Sequence, residues 1–383
     1  MRGFVRRGMG LVLAVMLTVP VSAAAPEVPG KSSVLMEKTT GTVLSEHNAH
    51  EQLAPASVTK IMTLLLIMEA VDSGTIGWED PVTASEAAAA KGGSQVYLKA
   101  GEQMTVRDMV KAIAVSSAND CACAMAEHLA GSEQAFVDKM NARAAELDMN
   151  DTHFVNCTGL DDGEDAAQHR TSAWDIAIMS RELILNHPDI RKFTTIWMDT
   201  LREGTFGLSN TNKMIRFYPG ATGLKTGFTS GAGFCLSATA ERENMELIAV
   251  VLGAESSKAR FGACRALLDY GFANYALVTP EKPQEQSVPV RLGKAGRVAA
   301  EPGQAGGLLV EKARRGEISQ EISLPEEVTA PVSRGQRLGT LTVRSGDRIL
   351  AEIPLVAAQG VPRLGWGDLF LEILRRASMG KTV

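Results

Sequence analysis

The stretch Pro55-Ala56-Ser57-Val58-Thr59-Lys60-Ile61-Met62-Thr63, continued by Leu64-Leu65-Leu66-Ile67-Met68-Glu69-Ala70-Val71, sets the reading of this chain. From Val58 to Val71 it is almost continuously apolar and free of glycine and proline. That is the pattern of a helix buried on most sides. Ser57 stands at its start, where serine is a favoured cap. Lys60 follows three residues later, a spacing that stacks both side chains on one helix face. A serine hydroxyl is a weak nucleophile near neutral pH and needs a base. A lysine serves as that base when burial or a neighbouring cation lowers its pKa. Most lysines simply sit at a surface, but this helix is too apolar to hold one casually, and burying an unpaired ammonium is costly.

Two more short patterns follow in order: Ser117-Ala118-Asn119 and Lys225-Thr226-Gly227. Each occurs once, whereas S-x-x-K recurs at Ser378 to Lys381, so the ordered set carries the signal and no single pattern does. Ser117 can pass a proton from Ser57 to a leaving group. Asn119 can orient Lys60 and bind a substrate amide. Both residue types also cap helices, which is the plainer explanation of that pattern taken alone. Lys225 and Thr226 fall on an expected edge strand, with Gly227 allowing close backbone approach. An extended peptide can add to such a strand and place its terminal carboxylate at Lys225 and Thr226. Lys225 is also a candidate for the cation that lowers the Lys60 pKa, although an edge lysine is a common protective device. The backbone N–H groups of Ser57 and Phe228 are candidates for an oxyanion hole.

Other chemistries find little support. The chain has no G-x-S-x-G elbow, no H-E-x-x-H and no P-loop, and His47, His50, His128, His153, His169 and His187 form no metal pattern. No metal or organic cofactor is expected. A net charge of −5 with no basic-aromatic stripe gives no sign of nucleic-acid binding. Five cysteines (Cys121, Cys123, Cys157, Cys235, Cys264) cannot all pair within one chain, and mostly buried free thiols are expected.

The 383 residues suffice for two or three domains. Residues 1–25 read as a signal peptide: Arg2, Arg6 and Arg7, the apolar run Met9 to Val19, then small-residue cleavage sites after Ala23 or Ala25. The alternative is an uncleaved anchor. Cleavage would remove three arginines and take the net charge from −5 to −8. Residues 26–276 read as the catalytic unit, with short strands at Ser33 to Lys38 and Thr42 to Glu46, helices dominating from Ala84 to His187, and antiparallel strands at Leu224 to Thr229, Phe234 to Ala240 and Glu246 to Gly253. Lys258 to Phe272 reads as a closing helix. Residues 277–358 show short alternating runs separated by glycine and proline, the pattern of a small C-terminal all-β domain. In residues 359–383, Trp366, Leu369, Phe370, Ile373, Leu374 and Ala377 recur at helical spacing, as in an amphipathic helix lying on a membrane surface or docked on the protein itself. The fold class is therefore α/β (α+β).

With these residues in view, the chain resembles the D-alanyl-D-alanine carboxypeptidases, the low-molecular-mass penicillin-binding proteins. The S-x-x-K, S-x-N and K-T-G set is one known for penicillin-binding proteins and the related β-lactamases. Pro55 to Thr63, His153-Phe154-Val155-Asn156 with Thr158-Gly159-Leu160, Asn210-Thr211-Asn212-Lys213 and Gly223 to Gly227 all resemble family segments. The resemblance implies a β-lactamase/transpeptidase-like domain with a helical cluster and a five-stranded antiparallel sheet. It implies removal of the terminal D-alanine from peptidoglycan pentapeptide stems through an acyl-enzyme on Ser57, covalent inhibition by β-lactams, and export to the extracytoplasmic face of the membrane and the cell wall. It gives Ser57, Lys60 and Ser117 catalytic roles, and Asn119, Lys225, Thr226, Gly227 and Phe228 substrate-binding ones. Two positions depart from the family pattern: Ala118, where glycine is common, and Phe228, where histidine is frequent. The alternatives are a D,D-endopeptidase or a β-lactamase on the same fold and, in another class, a catalytically silent wall-binding protein.

Overall fold

The structure, a computed structural model, describes residues 24–163, 165–280, 286–303, 306–368, 370 and 374. Residues 1–23 of the expected signal peptide lie outside them, as does most of the tail beyond Asp368.

Strands β1 (Ser32–Glu37) and β2 (Val43–His47) open the chain. A helical cluster follows, built from α1 (Lys60–Asp72), the small pair β3 (Pro81–Thr83) and β4 (Gln103–Thr105), α2 (Glu86–Ala89), α3 (Val106–Ser116), α4 (Asn119–Ala130), α5 (Glu133–Glu146), α6 (Ala173–Asn186) and α7 (Arg191–Thr194). The hairpin β5 (Met198–Leu201) and β6 (Phe206–Ser209) and the short α8 (Met214–Phe217) lead into β7 (Ala221–Thr229), β8 (Gly233–Arg242) and β9 (Met245–Ala254), and α9 (Ser257–Asn274) closes this part.

The five long strands form one antiparallel sheet in the order β2-β1-β9-β8-β7. Side chains alternate across a strand, so a strand covered on both faces must be apolar at nearly every position. The β9 sequence, MELIAVVLGA, meets that condition. Ile248, Val250 and Leu252 face the helical cluster, while Leu247, Ala249 and Val251 pack with Leu35, Leu236 and the apolar side of α9. Gly271 lets α9 approach closely, since a Cβ there would stand 2.5 Å from Leu247 Cδ1. On the other face, α1 is the central helix, with Ile61, Met62, Leu64, Leu65, Ile67 and Met68 all buried. An all-round apolar helix is stable only in that position.

The chain continues through β10 (Tyr275–Val278), β11 (Gln286–Arg291), β12 (Arg297–Pro302), β13 (Leu308–Glu311), β14 (Ile318–Ser323), β15 (Val328–Thr329), β16 (Arg337–Ser345) and β17 (Arg348–Ala357). Six of them make a sheet in the order β14-β16-β17-β12-β11-β15, while β10 pairs with β13. Val288, Val298, Leu341, Val343, Ile353 and Leu355 fill this second core. The short alternating runs expected in this part are β11, β13, β14, β16 and β17, and three further strands here, β10, β12 and β15, lie outside them. Residue 276, where the sequence pattern changes, lies within β10, so α9 passes directly into a paired strand. Lys312 Nζ also donates to the Phe272 carbonyl at the end of α9 (2.7 Å).

The expected mixture of helices and antiparallel sheet, with an all-β C-terminal part, is what the structure contains. Ser57 differs in detail. It lies inside a 3₁₀ turn over Ala56–Thr59, α1 proper begins at Lys60, and no side chain caps either start. The Ser57 hydroxyl is engaged by Lys60 instead.

Candidate active site

Lys60 and Lys225 are both fully buried, whereas Ser57 reaches solvent. Lys60 Nζ lies 2.9 Å from Ser57 Oγ and donates to the Thr158 carbonyl at 2.8 Å. Burial lowers the Lys60 pKa to about 7 against the opposing pull of Cys157 and Asp120. A neutral amine is therefore available at physiological pH to take the Ser57 proton. Burial first, and then the charges of Lys60 and Arg260, push Lys225 well down as well. Desolvation is the leading cause at Lys60, and Lys225, the candidate cation, is itself pushed down by Lys60.

A turn built by Asn156 aims the Thr158 carbonyl. Asn156 Oδ1 accepts from the N–H groups of Thr158 (3.1 Å) and Gly159 (2.6 Å), and Asn156 Nδ2 donates to the Leu160 carbonyl at 3.0 Å. Gly159 sits at φ +80, and a Cβ there would fall 1.8 Å from the Ala56 carbonyl oxygen, so only glycine permits this turn against the Ser57 segment. Thr59 Oγ1 donates to the Ala56 carbonyl and meets His169 Nε2, both at 2.8 Å. His169 Nδ1 accepts from Val155 N–H (3.1 Å), which leaves Nε2 as the protonated nitrogen. Burial lowers this histidine to about 4, so it is neutral where the enzyme works and serves as a brace.

Ser117 occupies the left-handed region at φ 66, at the end of α3, and Asn119 begins α4. Asn119 Nδ2 donates to the Gly92 carbonyl (2.7 Å), and its buried Oδ1 has no partner. The expectation that Asn119 orients Lys60 is therefore corrected: the Lys60 amine is held by Ser57 and Thr158. The open acceptor of Asn119 suits an incoming amide N–H, because a buried polar atom left unpaired is costly. Next to it, the buried Asp120 accepts from the N–H groups of Val96 (3.1 Å), Leu98 (3.0 Å) and Cys121 (2.9 Å), tying the Tyr97 loop to α4.

The third pattern lies on β7, an edge strand of the sheet. Gly227 packs directly on the nucleophile turn: a Cβ there would stand 2.7 Å from the Pro55 carbonyl oxygen and 3.0 Å from Ser57 N. Lys225 Nζ donates to the Thr226 carbonyl at 2.9 Å, and Thr226 Oγ1 donates to Thr211 Oγ1 at 2.7 Å. The Asn210 to Lys213 segment joins β7 to the helices, with Thr211 N–H on the Val115 carbonyl and Asn212 Nδ2 on the Gly223 carbonyl. Phe228 is 54 % exposed and stacks on Phe234 with ring centroids 4.3 Å apart. Arg260, on α9, reaches through the sheet to the carbonyls of Gly227 (2.8 Å) and Cys235 (3.2 Å).

Of the eight site residues read from the sequence, Lys60 contacts the Ser57 hydroxyl and Gly227 packs on the Ser57 turn, Lys225, Thr226 and Phe228 share β7 with Gly227, and Ser117 and Asn119 stand where α3 passes into α4. The segment His153 to Asn156 with Thr158 to Leu160 stands out in the sequence, but the role of its Thr158 carbonyl, a backbone group, does not, and Asp120, His169 and Arg260 sit at positions that no local pattern marks. All five cysteines are buried free thiols, as expected.

Comparison with known proteins agrees with this geometry. Residues 19–256 match the family described as D-alanyl-D-alanine carboxypeptidase, and residues 276–363 match the penicillin-binding protein 5 C-terminal domain. The D-alanyl-D-alanine carboxypeptidase DacF of Bacillus subtilis is 44% identical over 352 residues, covering 90% of this chain and 88% of that protein. Penicillin binding protein 5 from Haemophilus influenzae superposes with a TM-score of 0.75 at 28% identity, over 89% of this chain and 100% of that one. Penicillin-binding protein D2 from Listeria monocytogenes, solved in its ampicillin-bound form, has a TM-score of 0.58 at 31% identity over 64% of this chain and 98% of that one.

Proposed function

The chain belongs to the D-alanyl-D-alanine carboxypeptidase family, and from that premise we propose how its own residues carry the reaction. The substrate is a peptidoglycan stem peptide ending in D-Ala-D-Ala. It lies extended along β7, where the edge of the sheet is free to accept a further strand. Its terminal carboxylate meets Thr226 and Lys225, and its amide N–H meets the open Oδ1 of Asn119. Neutral Lys60 removes the Ser57 proton as Oγ attacks the penultimate carbonyl carbon. The backbone N–H groups of Ser57 and Phe228 receive the oxyanion. Ser117 relays that proton from Lys60 to the departing D-alanine amine, leaving an acyl-enzyme on Ser57 and a neutral Lys60. Water activated by the same lysine then cleaves that ester. A β-lactam ring enters the first half of this sequence and acylates Ser57 in the same way. No step calls for a metal or an organic cofactor.

The observation that carries this reading is the 2.9 Å approach of a fully buried Lys60 amine to a solvent-reaching Ser57 hydroxyl. Free D-alanine released from a synthetic peptide ending in D-Ala-D-Ala tests it. The protein releases D-alanine and Ser57→Ala does not. Release by both, or by neither while penicillin still labels Ser57, would overturn the carboxypeptidase assignment.

Export and membrane association form part of the same proposal. Residues 1–25 act as a signal peptide, placing the enzyme at the extracytoplasmic face of the membrane and the cell wall. Among the described residues no helix is long and apolar enough to cross a bilayer. Trp366, Phe370 and Leu374 are 91%, 63% and 50% exposed at a spacing of four, which supports a helix lying in the membrane surface.

A further inference from the structure

Behind Lys60 lies a second group of reactive side chains that the hydrolysis leaves unused. Cys123, on α4, and Cys157, in the loop just before Thr158, are both buried. Their sulfurs converge on one carboxylate: Cys157 Sγ lies 3.2 Å from Glu133 Oε1, and Cys123 Sγ lies 3.8 Å from Glu133 Oε2. The two thiols are close enough to perturb each other. The Cys157 N–H donates to Glu133 Oε1 at 3.3 Å, and Lys91 Nζ sits 2.5 Å from Oε2. The other three cysteines stand apart from this pair. Cys121 contacts Asp120, Cys235 faces the Ala54 and Ala232 carbonyls, and Cys264 faces that of Ala249.

We propose that Cys123 and Cys157 are an oxidisable pair whose closure to a disulfide draws the Thr158 carbonyl away from Lys60 and slows acylation of Ser57. Two thiols held against the two oxygens of one carboxylate must come together to about 2.05 Å between sulfurs. Cys123 is fixed in a buried helix, so the movement falls on Cys157 and its irregular loop. The Cys157 carbonyl accepts from Thr63 Oγ1 at 2.6 Å, and the next carbonyl, of Thr158, accepts from Lys60 Nζ at 2.8 Å. Closure also removes both S–H donors from Glu133. A misplacement of about 1 Å at a catalytic group is enough to cost 10- to 100-fold in rate.

The oxidant is a small-molecule disulfide. It takes two electrons and two protons from the pair and leaves as two thiols, while one S–S bond forms between Cys123 and Cys157. An open groove of about 410 Å³, lined by Lys91, Glu133, Asn156, Thr158 and Leu160, reaches the carboxylate that both buried thiols contact. An exported enzyme meets oxidising conditions of this kind. The contact with Cys123, together with burial, pushes the Cys157 thiol up, so closure is slow near neutral pH and faster in mild alkali.

The effect on activity rests on Lys60 being the base proposed above, whereas the thiol count does not. Full-length protein is incubated with oxidised glutathione in mild alkali. Free thiols are counted after unfolding, linked peptides are mapped by mass, and the rate of acylation by a fluorescent penicillin is measured before and after reductant. The expected result is a fall from five thiols to three, a Cys123–Cys157 peptide link, and acylation at least about tenfold slower and restored by reductant. Cys123→Ala, or Cys123→Ser if the first does not fold, keeps its acylation rate through the same treatment. Five thiols remaining, a glutathione adduct in place of the link, a link with unchanged acylation, or equal loss in the Cys123 variant would each overturn the proposal. A reduced protein that never acylates would instead strike the carboxypeptidase reading.

Discussion

Lys60 shows how one residue sets the chemistry of the site. Its amine is surrounded by a hydroxyl and a carbonyl, with no carboxylate in hydrogen-bond contact, so desolvation wins and the pKa falls to about 7. Only the neutral amine accepts a proton. Acylation therefore rises as pH increases through about 7 and levels off above it. The second-order rate of penicillin labelling between pH 5 and 9 checks this, and a flat profile would remove Lys60 as the base. Lys60→Ala deletes the rising limb together with the reaction, lowering the rate by at least about a hundredfold while the fold persists. The same burial carries a cost. The folded state binds fewer protons at this position than the unfolded chain between about pH 7 and the ordinary lysine range near 10.5, so this residue's contribution to stability falls as pH drops through that window. A base poised at neutral pH and a fully stable helix start are incompatible demands on one side chain.

Between elements, the decisive contacts are places where backbone meets backbone. Gly227 on β7 and Gly159 in the Asn156 turn press on the Pro55–Ser57 segment from two sides, and neither has room for a Cβ. Gly227→Ala forces β7 away from the nucleophile turn, so the Phe228 N–H, Lys225 and Thr226 separate from Ser57. Acylation falls by about a hundredfold while the melting temperature drops by only a few degrees. Stopped-flow acylation and thermal unfolding of the one variant check both halves, and normal acylation would show that the turn and strand can part freely. This contact also explains what was legible in advance. The apolar run of α1, the continuous apolar run of β9 and Lys225-Thr226-Gly227 are local patterns, and a local pattern reports its own element directly. The Thr158 carbonyl has no side-chain signature. Arg260 acts across the sheet on Gly227 from 33 positions away, and Asp120 on Val96 from 24. Asn119 was assigned to Lys60 because sequence gives neighbours in a motif but not the direction a side chain takes; in the structure it turns to Gly92. Ser57 was read as a cap because a helix start and a 3₁₀ turn carry the same residues.

On the scale of the whole molecule, the strands from β10 onward contribute none of the catalytic groups, yet they join the rest through β10, which continues α9, and through Lys312 on the Phe272 carbonyl. The chain ends beyond this second core, with Leu364 N–H on the Leu292 carbonyl and an isolated bridge between Gly293 and Arg363 fixing where the tail departs. Asp368 pairs with Lys294 at 3.1 Å and accepts from Gly365 N–H at 3.0 Å, so the first turn of the tail is tied to the β part while Trp366 points away from it. An apolar face that starts 91% exposed needs cover, and the proposal above gives it the membrane surface. On that proposal the second core is a spacer between Ser57 and the bilayer. Removing residues from Arg363 onward should abolish binding to vesicles containing anionic lipid, as read by flotation, and leave D-alanine release from a soluble peptide unchanged. Replacing Trp366 and Phe370 together with serine should weaken flotation by at least about tenfold, because each buried aromatic side chain contributes roughly 1.5–3 kcal/mol. Equal flotation of the truncated and complete proteins would leave the exposed Trp366 face to contacts with protein rather than lipid.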